Sequence, residues 1–293
     1  MKQRITPNLR GILFMLGAVL VFCLMDVCLK LLTPHYPPMQ VASLRGLSSL
    51  PLIVLWVGMT GGYRHVRTTR WGLHLLRGAL AVFMLSLFAF ALRELPLAEA
   101  YSLFFIAPLV ITALAVPLLG ERVGGRSWIA IVVGLGGVLV VLRPDASRMI
   151  NLGSVAVLLA AIAYALSAIT VRVLGRTDST QSMVLWLIVL LSAFATAAAW
   201  PEWVAVRREH WPILAGLAFS GALGQYAITE ACRQTAVSII APFEYTALAW
   251  GIGLDWLIWE TLPDRFMLLG AAIIVASGIY LIRAERVEQS SPD

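Results

Sequence analysis

Among the ionisable side chains inside stretches apolar enough to sit in hydrocarbon, seven are candidates for chemistry: Asp26, Arg45, Arg77, Glu99, Glu230, Glu244 and Asp255. A charge at the centre of a bilayer-embedded helix costs at least about 2.5–3.5 kcal/mol on insertion scales, so each needs a partner, a cavity or an interface. Glu244 lies in "APFEYTALAW", two residues after Pro242, with Leu248, Gly251 and Asp255 continuing its helical face. A carboxylate there suits three jobs: attracting an ammonium group, carrying a proton, or bonding to unwound backbone or a neighbouring tyrosine. Asp26 and Lys30 are four apart on one face of the first apolar run. Arg45 enters the second run at comparable depth, so an Asp26–Arg45 pair could hold one conformation and break in another. Arg77 has a stem long enough to snorkel, and Glu99, Glu230 and Asp255 lie towards helix ends.

The aromatic residues divide by depth. Trp71, Trp128, Trp200, Trp203, Trp211 and Trp259 sit at the ends of apolar runs and fit the interfacial belt. Tyr101, Phe105, Tyr164, Trp186, Tyr245 and Trp250 lie deeper, with Phe83 and Tyr226. A subset of these would give a cavity apolar walls for a ring or an apolar side chain. Tyr101 and Phe105 share the face that leads to Pro108. No nucleotide-binding signature, metal-ligand cluster or nucleophile–base constellation is visible, so the chain is expected to be no enzyme and to carry no cofactor or metal. Cys23, Cys28 and Cys232 read as apolar filler without metal or disulfide spacing.

The elements that must position these residues follow from composition. Hydrophobic residues make up 60% of the chain and charged residues 13%, against roughly 45–50% and 25% in a soluble domain. Ten stretches reach, or come close to, the ~17–25 residues of a spanning helix: Gly11–Leu32, Pro38–Met59, Trp71–Leu92, Ala98–Leu119, Ser127–Leu142, Leu152–Leu174, Thr180–Trp200, Trp211–Cys232, Ala236–Trp259 and Arg265–Ile282. The first run is too long for a secretory signal and has no cleavage site; the tail "RAERVEQSSPD" reads as short, polar and mobile. The fold class is all-α, polytopic in a membrane.

The net charge of +6 is spread over the connecting loops rather than gathered in one patch, so no nucleic-acid partner is expected. On an even number of spans, thirteen Lys and Arg residues fall on the side of the termini and seven on the other. The positive-inside rule then puts both termini in the cytoplasm of a bacterial inner membrane.

Landmarks recur along the chain. Trp71 and Trp211, Arg93 and Arg233, and Arg143 and Arg283 are each 140 apart, Glu121 and Glu260 139 apart, and Lys30 and Arg172 142 apart. The segments "LAVPLLGERV" and "LDWLIWETLP" correspond. This order predicts two five-helix repeats, residues 1–147 and 148–293. Because five is odd, the second copy enters the membrane inverted, as in many secondary transporters, where substrate binds near the midplane between repeats. Pro108 and Pro117 interrupt span four and Pro242 interrupts its counterpart, span nine, which makes this pair the pointer to a substrate site.

With "PLLGERV", "LIWETLP" and "APFEYTALAWGIGLDW" on a five-plus-five plan, the chain from about Gly11 to Arg283 resembles the EamA type of the drug/metabolite transporter superfamily. The resemblance implies ten helices around a central cavity and transport of small metabolites, bacterial exporters of amino acids, including aromatic ones, being among the family's members. Glu121 and Glu260 match family positions at span ends and read as helix-end anchors. The expectation is a secondary transporter, working by alternating access, that exports aromatic and other neutral amino acids. A sugar or nucleoside-like cargo stays open, as does a lipid enzyme or a non-transporting membrane protein. The expected partners are a small-molecule substrate and membrane lipid; the oligomeric state stays open, a monomer included.

Overall fold

In a computed structural model the chain is described over residues 7–60, 66, 68, 70–119, 125–142, 151–234 and 241–290. Glu121 lies outside these residues, as does the 147/148 boundary, and the side chains of Glu230, Cys232 and Pro242 are likewise not described. The described residues form α1 (Pro7–Leu32), α2 (Pro38–Thr60), α3 (Trp71–Glu94), α4 (Leu97–Phe104), α5 (Ala107–Leu119), α6 (Gly125–Leu142), α7 (Leu152–Leu174), α8 (Thr180–Ala199), α9 (Trp211–Gln234), α10 (Thr246–Trp259) and α11 (Arg265–Ser290). Six segments are long and apolar enough to cross a membrane, and two shorter apolar helices join them.

The expected span four is two helices. Pro108 has no N–H to give to the Phe104 carbonyl four residues back, and the chain tightens there, Ile106 N–H donating to the Leu103 carbonyl at 3.3 Å. Pro108 then occupies the second position of α5, where its missing donor is not needed. Within the described part of span nine a 3₁₀ turn, Ala241–Tyr245, precedes α10. At its far end Glu260 takes φ 54°. Its N–H reaches Trp256 O at 3.1 Å, the single bond of an αL close, and that of Thr261 reaches Asp255 O at 3.3 Å. The tail expected to be mobile instead continues α11 to Ser290, because "RAERVEQ" is made mostly of good helix formers.

Contacts group the chain into two compact units, and neither is a sequence half. One comprises Met1–Cys23, Pro96–Ile150 and Leu223–Asp293. In it α6 lies against α11, and α4 against α10. A Cβ on Gly137 would meet Gly270 O at 3.0 Å, and one on Gly270 would meet Gly137 O at 2.7 Å, so these backbones touch as small-residue interfaces allow.

The other unit comprises Leu24–Leu95 and Asn151–Ala222. Here α2 packs on α8, and α3 on α7 and α8, with Gly46 against the Ser192 backbone. Connecting segments fold back onto helices from the opposite half of the sequence. Gln40 brackets Val204, donating to its carbonyl at 2.6 Å and accepting from its N–H at 2.9 Å. Val66 O accepts from Trp186 Nε1 at 2.9 Å and from Ser182 Oγ at 3.3 Å. Arg77, expected to snorkel, instead donates from Nη1 to Met183 O at 2.9 Å.

Two buried histidines complete this unit. Tyr36 Oη lies 2.7 Å from His210 Nδ1, and His74 Nε2 lies 2.8 Å from Asp178 Oδ2 in the α7–α8 turn. Burial pushes the Asp178 carboxyl upward, but hydrogen bonds with His74, Thr68 and Thr177 outweigh it and hold the group below its ordinary range. A depressed carboxylate contributes stability above its unfolded value, ~3.9, that is lost as pH falls through the lower folded value. Thermal unfolding in detergent is therefore expected to weaken below about pH 4, and Asp178→Asn should blunt that acid limb. An identical acid limb in the variant would contradict the assignment.

Candidate functional site

The two interrupted helices meet. Phe105 closes α4 and Tyr245 leads into α10, and their rings pack edge to face with centroids 5.0 Å apart at 78°. Phe105 and Tyr245 are 140 residues apart, the same offset that relates the tryptophan and arginine landmarks. Both are buried, at 9% and 8% exposure. Glu244, the neighbour of Tyr245, lies half-buried in the 3₁₀ turn, and Pro242 contributes to the same turn.

Glycines make room for these rings. A Cβ on Gly251 would meet the Tyr101 ring at 2.7 Å, so α10 presents a notch to α4 where Tyr101 lies. Gly278 of α11 does the same for Tyr245, whose hydroxyl occupies the place a side chain would take. That hydroxyl is buried without a hydrogen-bond partner.

The carboxylate of Asp255, expected near an interface, is 1% exposed. Its Oδ2 accepts the Ala98 N–H at 2.8 Å, a donor in the first turn of α4 that the helix itself leaves unpaired. Pro96, the residue before α4, offers no side-chain cap. Asp255 thus holds the start of the half-helix whose end carries Phe105. Further along, Ser102 Oγ donates to Ala98 O at 2.7 Å, tightening the same short segment.

The other expected site residues lie elsewhere. Trp250 is 40% exposed on α10 and Tyr164 38% exposed on α7. The Trp186 indole is engaged by Val66 O and stacks edge-on against Trp71 at 4.4 Å, which anchors the segment before α3. Asp26 and Lys30 are half-buried on α1. Asp26 is near enough to Arg45 of α2 to act on its guanidinium electrostatically. Sequence reasoning passed over His74 and His210; a histidine directly before or shortly after a span-start tryptophan was the available signal.

Two predictions follow from the cap. Asp255→Ala leaves a buried backbone N–H unpaired, a loss of about 1–3 kcal/mol, readable as a lower unfolding temperature. Asp255→Asn keeps an acceptor oxygen and is expected to lose less; equal losses would show that the capping bond is not what Asp255 contributes.

Comparison with known proteins shows the family and the fold. A model of the EamA-like transporter family fits residues 9–143 and again 151–284. The chain is 30% identical to the riboflavin transporter of Vibrio cholerae over 94% of each chain. It is 26% identical to the pseudopaline exporter CntI of Pseudomonas aeruginosa, over 94% of this chain and 97% of that one. It is also 26% identical to the S-adenosylmethionine uptake transporter of Rickettsia prowazekii, over 99% and 98%. A solved structure of 17% identity superposes with a TM-score of 0.66 over 95% of this chain and 98% of its own, which speaks for the fold. With the family matched twice along its length, this chain belongs to the EamA-like transporter family, multi-pass membrane proteins of the drug/metabolite transporter superfamily.

Proposed function

We propose that this protein is a secondary transporter that carries a small ring-bearing metabolite across a bacterial inner membrane by alternating access, with both termini in the cytoplasm. The observation that carries the reading is the contact between Phe105 and Tyr245, each at the interruption of a helix and 140 residues apart. Residues related by a twofold axis touch each other only near that axis. Inverted-repeat transporters bind substrate there, at discontinuous helices near the midplane. Tyr101, Phe105 and Tyr245 would supply ring faces, while the unpartnered Tyr245 hydroxyl and Glu244 would supply polar contacts.

The relatives' cargoes share this chemistry. Riboflavin joins a flat tricyclic ring to a polyol chain, and S-adenosylmethionine joins a purine ring to an amino-acid end. A second reading, export of aromatic and other neutral amino acids, is favoured by Glu244 as a partner for a substrate ammonium. The two readings divide on whether a free ammonium group is required.

Purified protein in liposomes tests both. Saturable flux of radiolabelled riboflavin is expected for the wild type, measured beside phenylalanine and threonine. Glu244→Gln, still folded by size-exclusion and thermal unfolding, should lower that flux by about tenfold or more, the scale of one lost charge-assisted contact. Phenylalanine flux without riboflavin flux would favour the amino-acid reading, and no saturable flux of any of the three would overturn both.

A further inference from the structure

Three hydrogen-bond donors on α2 are buried without partners: Arg45 Nε, Ser49 Oγ and Trp56 Nε1. At ~100° per residue they fall within about 40° of one another around the helix, and at 1.5 Å per residue they span about 16 Å along it. This is a single stripe rather than three scattered exceptions.

Among the described residues the buried unpartnered side-chain atoms outside α2 are His74 Nδ1 and Arg77 Nε on α3 and Tyr245 Oη, whereas other buried helical serines are satisfied. Ser102, Ser192, Ser220 and Ser277 each donate to a carbonyl of their own helix, as buried helical serines usually do. The Trp186 indole donates to Val66 O; Arg77 donates from Nη1 to Met183 O, with its Nε left unpaired. Ser49 differs for a local reason: Ser48 Oγ already donates to the Arg45 carbonyl at 3.3 Å, the acceptor one turn back that Ser49 would use. Across from it a Cβ on Gly221 would meet Ser49 Oγ at 2.6 Å, so a residue without a side chain leaves that hydroxyl its room. Ser49 is only 2% exposed.

A buried unpaired donor costs free energy, and three aligned ones in a membrane protein call for acceptors that come and go. We infer that the Arg45–Ser49–Trp56 face of α2 is a substrate-contact strip that donates to the oxygen atoms of the solute. The Asp26 carboxylate acts on Arg45 and offsets its charge, so the strip suits neutral acceptors, carbonyl and hydroxyl oxygens, better than a free polyanion. A flat heteroaromatic ring bearing carbonyls, with a hydroxylated chain, is the matching solute class. The inference rests on the transport reading and narrows its cargo.

The test is riboflavin protection of Ser49→Cys, with Cys23, Cys28 and Cys232 replaced by alanine. In liposomes the introduced thiol is expected to react with a small water-soluble methanethiosulfonate, and saturating riboflavin should slow the reaction by about tenfold, the scale of a site mostly occupied by ligand. No reaction, or a rate that riboflavin leaves unchanged, overturns the strip. Riboflavin flux through the wild type is followed separately: protection without flux would leave the strip as a binding site and remove the transport reading, whereas flux without protection would do the reverse. Trp56→Phe keeps an aromatic ring but removes the indole N–H together with the five-membered ring; it should raise the half-saturating riboflavin concentration by at least about threefold to tenfold, the scale of one hydrogen bond, and an unchanged value would also count against the strip.

Discussion

Hydrocarbon offers no partner to a peptide group, so a membrane-embedded chain can leave its helical ladder only where protein or trapped water replaces the lost bonds. In this chain that constraint singles out two places. Span four breaks between α4 and α5, and in span nine a 3₁₀ turn precedes α10; Phe105 and Tyr245 bring the two places together. Keeping an irregular backbone there requires support from around it. Asp255 supplies an acceptor to the start of α4, Gly251 and Gly278 withdraw side chains so that Tyr101 and Tyr245 can lie close, and Pro108 begins α5 without wasting a donor.

The rest of the molecule follows a different economy. Its second unit closes its ends with polar contacts that reach across the sequence: Gln40 to Val204, Tyr36 to His210, Trp186 to Val66 and His74 to Asp178. The Gln40 and Trp186 contacts satisfy backbone groups of connecting segments, and the two histidine contacts pair buried side chains. Against these contacts the stripe on α2 stands out because its three unpaired donors lie on one face of one helix.

Much of the helix pattern was legible in the sequence, because a run of apolar residues bounded by charge, proline or polar turn has little choice in a bilayer. Prolines marked both interruptions. The tail was misread because polarity was taken for disorder, although Ala, Glu, Arg and Gln favour helix regardless of burial. Asp255 and Arg77 were placed at interfaces by counting residues from span ends; depth along a helix says nothing about which neighbouring donor or acceptor a side chain meets. The contacts between Gln40 and Val204 or His74 and Asp178 were out of reach for the same reason, since single polar residues more than a hundred positions apart leave no periodic trace. The grouping into units that mix the two halves was equally invisible, because a repeat reports ancestry along the chain and not which helices share a core.

The central claim is that solute binds where the two interruptions meet. Electron cryo-microscopy of the protein saturated with a solute it carries tests this most directly. Density for the solute against Phe105, Tyr245 and Glu244 is the predicted result. Well-resolved solute density away from those residues, with the Phe105–Tyr245 contact closed and unoccupied, would contradict it.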